Sequence, residues 1–81
     1  MKAKVIVKLK DGVLDPQGQT IRRSLNRMGH SEVSGVRQGK YFEIEFNGDI
    51  GMEAKQQLVE TISQDILSNP LVENFEIQEI S

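Results

Sequence analysis

An alternating run from Lys2 to Lys10 leads into Asp11-Gly12-Val13-Leu14-Asp15-Pro16-Gln17-Gly18, and this junction constrains the fold more than any other part of the chain. Ala3, Val5, Val7 and Leu9 fall on one face of the run. Lys2, Lys4, Ile6, Lys8 and Lys10 fall on the other, which is the period-two pattern of a half-buried strand. Gly12 permits a turn, Asp15 can cap a helix with its carboxylate, and Pro16 suits the first helical position, where its missing N–H is no loss. Ile21, Leu25 and Met28 then recur at helical spacing and Gly29 is placed as a stop, predicting a first helix over about Pro16 to Met28.

The remaining sequence continues in the same style. Val33 to Gln38 reads as a second strand, Gly39-Lys40 as a tight turn, and Tyr41 to Asn47 as a third strand with Phe42, Ile44 and Phe46 facing the core. A second helix is expected over about Met52 to Ser68, burying Ala54, Leu58, Val59, Ile62, Ile66 and Leu67 and ended by Asn69-Pro70. Phe75 and Ile77 mark a last strand. The order β-α-β-β-α-β predicts one α+β domain over residues 1–81, a two-layer sandwich, ferredoxin-like or related, with helices on one face of an antiparallel sheet. The first strand would then lie between the third and fourth, with Lys4 and Lys8 beside Glu43 and Glu45 on one side and Glu76 on the other.

Charge supports that packing. Residues 1–40 carry nine Lys or Arg against three acids, and residues 41–81 carry one Lys against nine acids, so two opposite halves make a net charge of only −2. Halves that neutralise each other in one sheet account for the asymmetry without a charged partner.

An 81-residue chain buries only roughly 60–65% of its unfolded surface, which leaves little room for both a core and an enclosed active site. Hydrophobic residues make up 37% and aromatics 5%, low enough that self-association is expected to supply part of the stability, as a homodimer or homotetramer built through the sheet or its edge strands. There is no cysteine, hence no disulfide, thiolate ligand or thiol nucleophile. No apolar run approaches membrane-spanning length, and Met1-Lys2-Ala3-Lys4 leads into a strand pattern rather than a signal-peptide core, so a cytoplasmic chain with no membrane partner is expected.

Chemistry-bearing patterns are sparse. Asp15 has no second carboxylate or histidine spaced nearby to share proton transfer. Gly12 and Gly18 bracket a helix N-terminus without the spacing of a phosphate-binding loop, and Asp15 would repel the phosphate. His30, the only histidine, has no cysteine or second histidine with which to form a transition-metal site. Lys2, Lys4, Lys8 and Lys10 could suggest nucleic acid, but the third strand exposes Tyr41, Glu43 and Glu45, whose carboxylates repel a phosphate backbone. Arg37-Gln38-Gly39-Lys40 reads either as a polar hairpin tip or as a contact for a carboxylate-rich or nucleotide-bearing surface.

Turn chemistry explains Gly12, Asp15 and Pro16, but it does not require Val13-Leu14, Gln17-Gly18, Val36-Arg37-Gln38-Gly39-Lys40 or Asn69-Pro70-Leu71-Val72-Glu73. In this combination and order, over essentially the whole chain, the sequence resembles the PurS family, the small subunit of bacterial phosphoribosylformylglycinamidine synthase in de novo purine biosynthesis. The family more usually has an aromatic or apolar residue where His30 follows Gly29. The resemblance implies a non-catalytic subunit that joins a large ATP-dependent synthetase subunit to a glutaminase subunit and assists ammonia transfer between them. It also implies that this chain binds no cofactor, ATP and magnesium being used by the complex. Partner contact is expected at Lys10, Asp15, Pro16, Gln17, Gly18, Arg37, Gly39, Lys40, Asn69 and Pro70. The alternative is a small-molecule-binding regulatory α+β module. A small phosphatase of the same element order is disfavoured, because the loop after the first strand offers carboxylates where an arginine is needed.

Overall fold

The alternation of the amino-terminal run produces the central strand, because both of its edges carry antiparallel ladders. The computed structural model describes residues 2–81; Met1, the first residue of the expected domain, lies outside them. The elements are β1 (Lys2–Leu9), α1 (Pro16–Arg27), β2 (Gly39–Glu45), α2 (Met52–Ile62), which runs into a π-helical turn at Ser63–Leu67, and β3 (Glu73–Ile80). The sheet order is β2-β1-β3. The first strand therefore lies in the centre, and the α+β class with an antiparallel sheet is as the sequence predicts.

Register gathers the apolar side chains on one face. Val5 opposes Phe42 and Ile77, Ala3 opposes Ile44 and Ile80, and Phe75 stands across from Val7. Ala3, Val5 and Val7 are fully buried together with Val59 of α2, and the larger side chains of β2, β3 and the π turn pack around them half-buried. On the other face Lys2 meets Glu43 at 3.0 Å and Lys4 meets Glu79 at 3.3 Å. The Lys2 ammonium holds the Glu43 carboxyl below its ordinary range, chiefly through that hydrogen bond. The expected pairing of Lys8 is not formed. Lys8 faces Gly39 on β2 and Asn74 on β3, and past a bulge in the β3 ladder between Lys4 and Val5, Glu76 falls opposite Ile6.

Three expectations need correction. Val33 to Gln38 is not a strand of the sheet, and Gly39-Lys40 is not a turn: these two residues open β2, opposite Lys8 and Val7. The segment is held by side chains, since the Gln38 N–H is given to the Asp15 carboxylate rather than to a neighbouring strand. The second helix does not bury Ala54, Leu58 or Ile66, all of which are exposed, Ile66 at 75%. Its inward stripe is Lys55, Val59 and Ser63, spaced four apart, with the Lys55 ammonium donating to the Ser81 backbone oxygen at 3.3 Å. Both the N–H and the hydroxyl of Ser68 donate to the Ser63 carbonyl, at 3.0 and 2.7 Å, and this five-residue closure widens the last turn.

The third correction concerns α1, which runs as predicted from Pro16 but has no substantial packing against the sheet or α2. It projects from one end of the sheet, and the molecule is accordingly long and thin, 52 × 24 × 15 Å. Only α2 and its π turn cover the apolar face, towards the β1 and β3 side.

With so few buried side chains, each one matters. Val5→Ala should cost about 2 kcal/mol in urea unfolding, whereas Thr61→Ala on the exposed side of α2 should stay within about 0.5 kcal/mol.

Candidate functional site

Asp15 is expected as a helix cap and does more than that. Its Oδ1 accepts from the Gly18 N–H at 2.9 Å, closing the first turn of α1, while its Oδ2 accepts from the Gln38 N–H at 2.8 Å. One carboxylate therefore ties the start of α1 to a segment 23 residues further along the chain. A carboxylamide has a single acceptor oxygen and could serve only one of the two. Gln38 and Gly18, in that order, hold the Asp15 carboxyl below its ordinary value of 3.8.

Arg37 closes the same junction from the other side. Its guanidinium donates to the Leu9 and Lys10 carbonyls at 2.7 and 3.2 Å and lies 3.7 Å from the Asp11 carboxylate. The fork that could have gripped a partner's carboxylate is turned largely onto this chain's own backbone. Gln17 and Gln38 side chains bond to each other across the gap. Gly18 is buried here because the backbone passes close: a Cβ would sit 2.2 Å from the Val36 carbonyl oxygen. Gly39 is similarly confined, with the Val7 carbonyl oxygen 2.8 Å from where a Cβ would lie.

Asn69 and Pro70 come to the same end of the sheet. The Asn69 side chain accepts from the Leu71 N–H at 3.1 Å and its carbonyl accepts from the Glu73 N–H at 2.7 Å, so the chain turns tightly into β3. Val72 then accepts the Lys10 N–H at 2.8 Å, fixing this turn to the loop after β1. Glu73 sits between the groups: its carboxylate accepts from the Asn69 N–H at 2.7 Å and lies 3.8 Å from the Lys40 ammonium.

All ten residues singled out in the sequence thus converge on one end of the sheet. Two open depressions lie there, of about 390 and 420 Å³. The first is walled by Pro16, Gln17, Gly39 and Lys40 and the second by Lys10 and Pro70, and Glu73 lines both. Gln38 and Glu73 are not among those ten, although Gln38 lies within the Arg37–Lys40 stretch. Glu73 stands in the Asn-Pro-Leu-Val-Glu stretch, but only the fold reveals that its carboxylate joins β2 to the turn before β3. Among the described residues no group of three or more His, Asp or Glu is placed to hold a metal ion.

Residues 2–80 match the family model of PurS, phosphoribosylformylglycinamidine (FGAM) synthase. The chain belongs to the PurS family. The phosphoribosylformylglycinamidine synthase subunit PurS of Methanocaldococcus jannaschii is 40% identical, over 95% of this chain and 92% of the relative. That of Bacillus subtilis is 37% identical over 98% and 94%. The crystal structure of the Methanocaldococcus jannaschii PurS, described as one of the subunits of formylglycinamide ribonucleotide amidotransferase, superposes with a TM-score of 0.80 and covers 95% and 92% of the two chains. A chain of the PurLQS structure from Thermotoga maritima, 29% identical, also gives 0.80 and covers 99% of both. The backbone as a whole therefore superposes on solved PurS chains.

The Asp15 junction makes two predictions. Gly18→Ala should destabilise the fold by about 1–3 kcal/mol, because the added methyl must displace backbone rather than a flexible side chain. Because the folded Asp15 carboxyl titrates below its ordinary value, its contribution is complete above about pH 4 and is lost as pH falls through the folded value. Asp15→Asn should accordingly be less stable than the parent at pH 7, and the gap in urea midpoints should close on acidification below that range. A gap independent of pH would contradict the assignment.

Proposed function

We propose that this chain, acting as a single PurS-like domain, is the non-catalytic small subunit of a phosphoribosylformylglycinamidine synthase complex in purine biosynthesis. It bridges the large synthetase subunit and the glutaminase subunit. The complex converts formylglycinamide ribonucleotide, glutamine, ATP and water to formylglycinamidine ribonucleotide, glutamate, ADP and phosphate. ATP and magnesium are used by the synthetase partner, and the glutaminase releases the ammonia. The contribution of this chain is positional: it holds the two partners so that ammonia reaches the activated amide before solvent does. It works as a homodimer or homotetramer in the cytoplasm.

The observation that carries this reading is the convergence of the Lys10–Gly18 loop, the Arg37–Lys40 segment and Asn69-Pro70 on one rigid end of the sheet, in a chain of the PurS family. A cross-tied surface presents the same contacts each time it docks, and loses little entropy in doing so. Lys10 and Lys40 are its outward cations, and both should face carboxylates on a partner.

The test is glutamine-dependent product formation by purified large subunit and glutaminase, with and without this chain. Activity should require the chain, while activity with an ammonium salt in place of glutamine should not. The double variant Lys10→Glu, Lys40→Glu should raise the concentration of chain needed by about tenfold. Equal glutamine-dependent activity without the chain would overturn the proposal.

A further inference from the structure

One cation beside the Asp15 junction has nothing to hold. Asp15, Gln19 and Arg22 are spaced four and three apart, which puts them on one face at the start of α1. Arg22 is half-buried there, whereas Arg23 and Arg27 are exposed. Its guanidinium makes no ion pair or hydrogen bond among the described residues. A guanidinium partly withdrawn from water with no acceptor gives up hydration and gains nothing in return.

Facing it is the extended strap of residues 34–37, pinned at one end by Arg37 and Gln38 and pressed against Gly18 at the Val36 carbonyl. The N–H groups of Ser34, Gly35 and Val36 donate no hydrogen bond among the described residues. Between this strap and α1 lies a cavity of about 370 Å³, within the usual range for small-molecule pockets. Gln19, Arg22 and Ser34 supply its polar wall, and Val13 and Val36 its apolar one.

Charge narrows what such a cavity can take. Arg22 and Arg37 line it against the single carboxylate of Asp15, leaving a net charge of about +1. Both Asp15 oxygens already accept N–H groups, and the Arg37 fork is directed to the Leu9 and Lys10 carbonyls. The Arg22 fork is therefore the one left open, and a planar carboxylate matches it with two parallel hydrogen bonds. A more highly charged phosphate would set surplus negative charge against Asp15.

We propose that this cavity binds a small monocarboxylic acid that also carries an amide or a comparable polar group. Its carboxylate pairs with Arg22, its amide meets the Gln19 and Ser34 side chains, and its apolar part lies against Val13 and Val36. Bound there, the acid joins α1 to the strap a second time, beside the tie that Asp15 makes. The site is complete within one chain and does not depend on the assembly role proposed above.

The test titrates N-acetylglycine, which has one carboxylate and one amide, into the isolated chain and follows its amide and Arg side-chain NMR signals. Saturable shifts should appear at the N–H groups of residues 34–37 and at Arg22 Nε, with a Kd at or below about 1 mM. N-acetylglycinamide, the same shape without the charge, should bind at least about tenfold more weakly, and inorganic phosphate should also bind more weakly than the acid. Arg22→Gln should weaken N-acetylglycine binding at least about tenfold, while Arg23→Gln, the same change of charge one residue along, should leave it unchanged. Both variants should keep the parent's urea midpoint. No saturable shift up to about 10 mM, equal affinity for the neutral amide, tighter binding of phosphate, or an equal loss in both variants would each overturn the proposal. Since the readout needs no other subunit, its failure leaves the glutamine-dependent assay as a separate test of the assembly role.

Discussion

The geometry of this molecule depends on a carboxylate with two clients. Asp15 satisfies the Gly18 N–H, one of the donors that every helix leaves unpaired at its start, and with its other oxygen satisfies the Gln38 N–H just before β2 begins. Those two bonds set the direction of α1, the path of the segment from Val33 to Gln38, and the entry into β2. Arg37 reinforces them by directing its guanidinium to the carbonyls where β1 ends. The tie is local in space and long in sequence, so a loop that would otherwise be mobile becomes a fixed end of the sheet.

From that fixed end follows a core with only one helix over it. Ala3, Val5, Val7 and Val59 are small, and they are all that is completely buried among the described apolar residues. A chain of this length with a half-covered sheet keeps considerable apolar surface in water, on α1, on α2 and along β2. Lys10, Gln17, Lys40 and Pro70 stand around open depressions at the fixed end.

Much of this was legible in the residues. Period-two alternation placed β1 and its inward Ala3, Val5 and Val7 correctly, and Asp15-Pro16 with Gly29 framed α1, because capping and turn chemistry act over a few residues. What was missed was decided at long range. Val33 to Gln38 has the residues of a strand, yet its Gln38 N–H was claimed by a carboxylate 23 positions earlier. Ile66 has the spacing of a buried helical residue, but the π turn closed by Ser68 rotates it outward. An amphipathic stripe on α1 announces that something covers it without saying that the cover is absent from its own chain. For the candidate site, the segments that converge were found through a family likeness; that Glu73 and Gln38 knit them together was visible only in three dimensions.

The direction of α1 is the feature most worth measuring, and the lack of cysteine makes it accessible. Spin labels at Arg27→Cys and Thr61→Cys, diluted with excess unlabelled chain so that only distances within one chain are read, would report how far α1 stands from α2. A single narrow distribution well beyond the roughly 10 Å axis separation of packed helices is expected, broadening when Asp15→Ala and Arg37→Ala are added. A short distance, or a broad one in the parent, would mean that the Asp15 junction does not hold the arm away from the sheet.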